Sequence, residues 1–243
     1  MSRLPAPPFG VLSNRLDALT ALESAAGAGD LLTAVAEYAR TQAVSESLRE
    51  LCGVPAILAA CAARSIPHPL GFDKFVLTAT DRYQIQLHIW WPGTSYEREH
   101  VHDHRFGFVS AVLAGRLRMS EFVVAATGET MNRFEERHEA GNDDFLFRFV
   151  DAVPVRCKGS VELGPGGAYF VAADLLHRVD VAPGGLVATL FVKLRPERLT
   201  TTILVDPGAG PPPPAIRRPY TTDEADRRLR SVAVELERAG AHR

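Results

Sequence analysis

The amino-acid sequence predicts a mainly β fold of the jelly-roll kind, a sandwich or barrel, with a helical region before it and one helix after it. Three observations carry the prediction. From Leu70 to Leu194, many short runs rich in β-branched and aromatic residues are separated by turns containing glycine or proline, the pattern of an all-β domain. From Ser13 to Ser65 the chain is instead rich in alanine and leucine at helical spacing. After Pro211-Pro212-Pro213-Pro214, apolar residues recur on a strongly charged background, as on a surface helix.

Taken in order, residues 1–12 are proline-rich and predict an irregular arm. Leu31, Leu32, Ala34, Val35, Tyr38 and Ala39 predict a helix with Asp30 as its cap, Ser45 to Leu51 predicts another, and Ile57, Leu58 and Cys61 a third after Gly53 and Pro55. Three or four short helices are expected here as a structural cap. Strands are expected at Lys74–Thr78 and Tyr83–Trp91 with a turn near Asp81, and from Phe106 to Leu113 closed by Gly115. Further strands are expected at Arg116–Val124, Thr130–Glu136, Phe145–Phe149, Ser160–Leu163, Ala168–Val171, Arg178–Val181 and Gly185–Leu194. Phe106, Phe108, Phe145, Phe147 and Phe149 read as barrel core. Thr221 or Thr222 caps a last helix carrying Leu229, Val232, Val234 and Leu236, free to pack on the domain or on a second copy of the chain, a homodimer. The expected units are therefore 1–68, an arm and helical cap; 69–206, the β-barrel; and 207–243, a linker and helix.

Composition narrows the function. A net charge of -2 with interspersed signs leaves no basic stripe for nucleic acid and no polybasic membrane patch. No apolar run reaches the roughly 20 residues that span a bilayer, and the proline-rich start lacks the apolar core of a signal peptide, so a soluble cytoplasmic protein is expected. Cys52, Cys61 and Cys157 form no C-x-x-C pair and read as small buried residues rather than disulfide or zinc ligands.

The chemistry concentrates at Glu99-His100-Val101-His102-Asp103-His104-Arg105. On a strand, His100, His102 and His104 would share one face, about 7 Å from one to the next. Two neutral imidazoles at this spacing can bind one transition-metal ion, given a third ligand from elsewhere. His177, after a strand and a short turn, is a candidate.

These segments resemble the paired motifs of the cupin superfamily: an H-x-H followed eleven or twelve residues later by glycine, then a glycine-led strand ending in histidine. His104 to Gly115 fits the first, and Gly166 through His177 the second, with Ala172 and Asp174 replacing its usual proline and second glycine. The resemblance thereby assigns His102, His104 and His177 as ligands. From about Leu70 to Pro196 the chain is similar to the cysteine dioxygenase-like branch, on Leu87-His88-Ile89-Trp90-Trp91, His102-Asp103-His104, Ala168-Tyr169 and Leu176-His177-Arg178-Val179. The common cupin glutamate ligand is absent, because Phe108 and Val109 stand there, as in thiol dioxygenases, whose ferrous iron has three histidine ligands. The branch's serine-histidine-tyrosine array becomes Thr189, Phe191 and Lys193, and its substrate-binding arginine falls near Lys74. The metal site transfers and cysteine as substrate does not.

The resemblance implies a mononuclear non-haem Fe(II) oxygenase using dioxygen and a small thiol- or amino-acid-like acid, with Zn, Ni or Mn as other metals. The alternatives are a non-oxidative cupin isomerase or hydrolase and a cupin that binds a small molecule without turnover. His88 and His100 are candidate catalytic groups, His100 also a polar residue of the barrel mouth. Lys74, Arg105, Arg116 and Lys193 are candidate anchors for an acidic group, with Arg118 nearby. Asp103 and Asp174 read as supports of the ligands. Glu97 and Glu99 read as solvated charge ahead of the motif.

Overall fold

A computed structural model describes residues 7–19, 25–94, 99–138, 145–182, 184–209 and 218–241. Helices α1 (Gly10–Ala18), α2 (Ala25–Ala39), α3 (Ala43–Gly53) and α4 (Pro55–Arg64) come first. Asp30 lies inside α2 rather than capping it, since the alanines upstream have the highest helix propensity and start the helix earlier. Pro55 opens α4, where the N–H it lacks would have had no helical partner.

The strands are β1 (Ile66–Pro67), β2 (Asp73–Ala79), β3 (Tyr83–Trp90), β4 (Val101–His102), β5 (Phe108–Ala114), β6 (Leu117–His138), β7 (Phe145–Leu163), β8 (Ala168–Val171), β9 (His177–Val181), β10 (Val187–Leu194) and β11 (Thr200–Val205). They form two antiparallel sheets. One has the order β1-β2-β3-β10-β5-β8 and the other β11-β4-β9-β6-β7, with β11 also pairing β6.

Alternation along each strand of the first sheet sends side chains to two different cores. Phe75, Ile85, Leu87, Ile89, Leu190 and Val192 pack outward on Leu31, Leu48, Leu51 and Leu58 of the helices. Trp90, Phe108, Val112, Tyr169 and Phe191 point inward and meet Leu117, Met119 and Val181 of the second sheet. β5 is therefore buried at every position, which is why its sequence runs apolar instead of alternating. Gly115 closes β5 with φ 72°, and a Cβ there would lie 2.5 Å from the Leu186 carbonyl oxygen, so the turn requires glycine.

Several expectations change. The pairs of short strands expected at 116–136 and 145–163 are two long ones, β6 and β7, whose pairing resumes after a bulge between Val124 and Glu129. Their hairpin carries Phe149 55 % exposed, so Phe149 is not barrel core. The Phe145 side chain lies outside the described residues, as does the expected proline linker. Cys52 and Cys61 are buried and Cys157 is exposed, because it sits on the same hairpin. α5 (Thr222–Ala241) is capped by Thr221, whose Oγ1 accepts from the Glu224 N–H at 3.2 Å while Glu224 Oε2 accepts from the Thr221 N–H at 2.9 Å. It packs on α3 and α4, burying Leu229 and Val232 in the helical core. Asp73 ties it to the barrel: Trp91 Nε1 and Arg228 Nη1 each donate to Oδ2 at 2.6 Å, and the Tyr220 hydroxyl donates to Oδ1.

Candidate metal centre

β4 and β9 meet at one register position, His102 opposite His177. Opposed residues of antiparallel strands hold their Cβ atoms about 4.5–5.5 Å apart on one face, so both rings enter the lumen side by side. His104 lies just past β4, and its backbone N–H donates to the Ala173 carbonyl at 3.0 Å, which brings it beside the turn leading into His177. The three ring centroids form a near-equilateral triangle of 4.7, 4.7 and 5.0 Å. Their nearest ligand nitrogens all lie within 4.8 Å of one another.

Hydrogen bonds fix the tautomers of two of them. His102 Nδ1 lies 2.9 Å from the His100 carbonyl oxygen, and His177 Nδ1 lies 2.9 Å from that of Leu175. A carbonyl only accepts, so each Nδ1 carries a proton and each Nε2 is the atom left to face a metal. Burial, and then the neighbouring His102, holds His104 well below the usual histidine range and His177 down at about 3. A divalent transition metal requires neutral imidazoles, the state in which His104 and His177 are held, so this group could hold a metal.

The residue between the ligands anchors them. Asp103 is buried, and its Oδ1 accepts from the Thr202 N–H of β11 at 2.6 Å. Arg198 Nη1 donates to Asp103 Oδ2 at 2.8 Å, to the Ala173 carbonyl at 3.1 Å and to the His104 carbonyl at 3.3 Å. One guanidinium thus joins both ligand-bearing segments. Asp103 supports the ligands as expected. Arg198 was not singled out by the sequence, although it lies in the short link between β10 and β11.

The surroundings sort the other candidates. Phe106 stacks on His104 at 4.8 Å, and Phe108 stands edge-on to it at 5.2 Å. Lys193 Nζ lies 4.3 Å over the Phe106 ring, and its charge helps to depress His104. His88 faces the lumen from β3, stacked on Phe191 at 4.6 Å, with Phe72 at 5.1 Å. Burial, then Lys74 directly opposite on β2, holds it far below its usual range. Lys74, His88 and Lys193 therefore belong to the lumen face.

His100 contributes its backbone carbonyl to His102 and is half-buried. Arg105 is half-buried, and its carbonyl accepts from the Glu197 and Arg198 N–H groups. Arg116 does not join the site: it is exposed in the β5–β6 turn and its charge acts on Glu162. Arg118 pairs with Glu162 at 2.7 Å on the outer surface. Strand alternation explains both, since Leu117 between them faces inward.

Glu99 departs from the solvated role. β9 has no β4 partner beyond His177, and Glu99 Oε2 accepts the open Val179 N–H at 3.1 Å. Burial raises its carboxyl above the usual range, against the opposing pull of His102. Glu97 lies outside the described residues.

No family model matches the sequence, and no curated protein matches it. Among solved structures, a cupin superfamily protein from Desulfitobacterium hafniense shows 17 % identity over 50 % of this chain and 74 % of its own, with a TM-score of 0.29. A cupin-family protein from Methanocaldococcus jannaschii with a double-stranded β-helix fold shows 10 % over 51 % and 81 %, with a TM-score of 0.31. A hydroquinone 1,2-dioxygenase in complex with Cd2+ and 4-hydroxybenzonitrile shows 14 % over 50 % and 63 %, with a TM-score of 0.31. Such likeness says nothing of activity, and the barrel stands on its own strand order and register.

Proposed function

We propose that the chain is a metal-dependent enzyme of the cupin kind, a mononuclear non-haem Fe(II) oxygenase akin to the cysteine dioxygenase-like branch, acting on a small thiol- or amino-acid-like acid. The observation that carries the reading is the convergence of His102, His104 and His177, three imidazoles grouped without a carboxylate among the described residues, in an aromatic lumen. A ferrous ion held there would supply open positions for dioxygen and an anionic substrate group, and redox chemistry that no side chain offers.

The residues of the chain have separate tasks. The His100 and Leu175 carbonyls orient two ligands by taking their Nδ1 protons. Lys193, over the Phe106 ring beside His104, would hold the acidic group of a substrate as a point charge, and Lys74 would add positive charge to the lumen. Phe106, Phe108 and Phe191 exclude water from the space beside His104 and His177. Cysteine fits poorly, since Phe191 and Lys193 stand where the branch has its histidine and tyrosine.

One observation favours a second reading. Desolvation raises the Glu99 carboxyl above the usual carboxylate range on the His102 side of the site, and a carboxyl so shifted suits proton transfer in a non-oxidative isomerase or hydrolase using Zn, Ni or Mn as a Lewis acid.

Metal analysis and oxygen uptake decide. The purified protein should carry a transition metal that is lost in His102→Ala and His177→Ala, and unchanged metal content in both overturns the centre. Fe(II)-loaded protein should consume oxygen with some member of a thiol and amino-acid panel. Uptake that persists in His104→Ala refutes oxygenation at these histidines. Turnover without oxygen uptake, abolished in Glu99→Gln, selects the second reading.

A further inference from the structure

We propose that the lumen contains a second recognition point, a neutral hydrogen-bonding subsite formed by Thr189 Oγ1 and His88 Nδ1, which takes a hydroxyl or carboxamide group of the substrate. The inference rests on the reading of the lumen as a substrate site. Its starting point is an orphan: Thr189 is 1 % exposed, and its hydroxyl has no hydrogen-bond partner. A buried hydroxyl left unpaired costs about 1–3 kcal/mol, which valine at the same volume would avoid. Thr189 alternates along β10 with Val187 and Phe191, both in the lumen core, so its hydroxyl points into the lumen.

Thr189 sits directly opposite His88 on β3, at a cross-strand Cβ separation of about 4.5–5.5 Å. The ring of His88 is fixed. Its Nε2 lies 3.2 Å from Gln86 Oε1, and the Gln86 amide nitrogen in turn donates to Gln84 Oε1 at 2.7 Å. The Gln86 oxygen only accepts, so His88 carries its proton on Nε2 and offers a lone pair at Nδ1. Phe191 stacked on one side and Phe72 against it oppose rotation. The pair therefore presents one acceptor and one hydroxyl that can donate or accept.

The chemistry of the occupant follows. A carboxylate would face the Nδ1 lone pair, and an ammonium would approach Lys74, which stands opposite His88 on β2. A neutral group with both a donor and an acceptor satisfies both atoms. Phe191 stacks on Phe108 at 4.4 Å, and Phe108 lies 5.2 Å from His104 and 5.5 Å from His177, so two rings separate the subsite from the ligand histidines. A bifunctional acid of matching length would engage both.

The test uses a series of ω-hydroxy and ω-carboxamide acids of increasing chain length, each against its methyl-terminated isostere. Binding to Co(II)-loaded wild type and Thr189→Val is read from the metal absorption spectrum, and from thermal shift with and without metal. At least one polar acid should bind about tenfold tighter than its isostere, the worth of one well-made buried hydrogen bond. Thr189→Val should erase that preference, keep Co(II) affinity and raise the melting temperature of the ligand-free protein, while Thr189→Ser keeps the preference.

A preference that is absent across the series, or that survives in Thr189→Val, overturns the subsite. A lower melting temperature in Thr189→Val shows that an ordered water already satisfies the hydroxyl, which also overturns it. Failure to take up Co(II) refutes the metal centre instead, and the subsite is then decided by the metal-free thermal shifts alone.

Discussion

Replacing Arg198 by methionine separates the support of the metal ligands from the ligands themselves. Arg198 is 34 % exposed at its side chain and Asp103 only 5 %, so the substitution keeps most of the apolar stem and strips a buried carboxylate of its cation. Asp103 keeps the Thr202 N–H on Oδ1, while Oδ2 loses its 2.8 Å donor. Removing one partner of a fully buried pair costs about 3–5 kcal/mol, and solvent access at the arginine lowers this to about 2–3 kcal/mol. The carbonyls of His104 and Ala173 lose the same donor, which frees the two segments carrying His104 and His177 to part. Supporting groups of this kind are worth about 10–100-fold in metal affinity. Urea unfolding and competition with a zinc indicator measure the two quantities. Asp103→Asn combined with Arg198→Met should recover part of the stability, because the unpaired charge is gone, without recovering affinity. A single variant destabilised as expected but with metal affinity within about threefold of wild type, far short of that 10–100-fold, would refute the argument.

Two further outcomes follow from buried groups. The folded-state pKa values of His88, His104 and His177 lie below the unfolded value of about 6.5, so between the two values the unfolded chain binds more protons and stability rises with pH. Metal-free protein should hold its full stability above about pH 6.5 and lose it progressively as pH falls toward the folded value of about 3 for His177, by up to about 1.4 kcal/mol per pH unit and group. Equal urea midpoints at pH 7.5 and 5.5 would show that these imidazoles are not buried neutral. Asp73→Asn turns an amide toward donors from Tyr220, Trp91 and Arg228, and should cost about 2–4 kcal/mol in urea unfolding. Metal affinity should stay as in wild type, since the Asp73 carboxylate is bound to α5 on the helical side; a loss of affinity would contradict that separation.

The grouping of the three histidines was legible because the spacing is a property of the chain: H-x-H, then Gly115, whose turn no other residue can make. The helical cap and most strands were legible through periodicity. What the sequence left out depends on the partner strand. The long hairpin of β6 and β7 was split in two because the bulge interrupts alternation without ending the pairing. β11 went unread although Thr200 to Val205 is β-branched and apolar, and with it went the reason for Asp103, whose partners are Thr202 within that strand and Arg198 just before it. Glu99 read as solvated because a loop carboxylate usually is, and only the register of β4 and β9 shows an open N–H for it to cap. Arg116 and Arg118 are close in sequence to the site, but Arg116 is exposed in the β5–β6 turn and Arg118 falls on the outer side of β6.

The site is built across a short strand rather than on a long one, and this shapes its behaviour. β4 has two residues, so His102 and His104 gain little from regular pairing; their positions come from the His177 bridge, the Ala173 carbonyl and the Arg198 guanidinium. Each of these contacts joins a different segment, and a metal shared by the three imidazoles would join the same segments again. Ligand binding and local folding are then one equilibrium: whatever loosens β11 or the β8–β9 turn weakens the metal, and the metal in turn stabilises both. The opposite wall behaves differently. Thr189, Gln86 and His88 lie on β10 and β3, which are paired over their full length and buried on both faces, so that wall is set before any ligand arrives. If the proposed centre and subsite hold, a deformable metal wall would face a rigid recognition wall, and the lumen could adjust coordination while the substrate's far end stays in place.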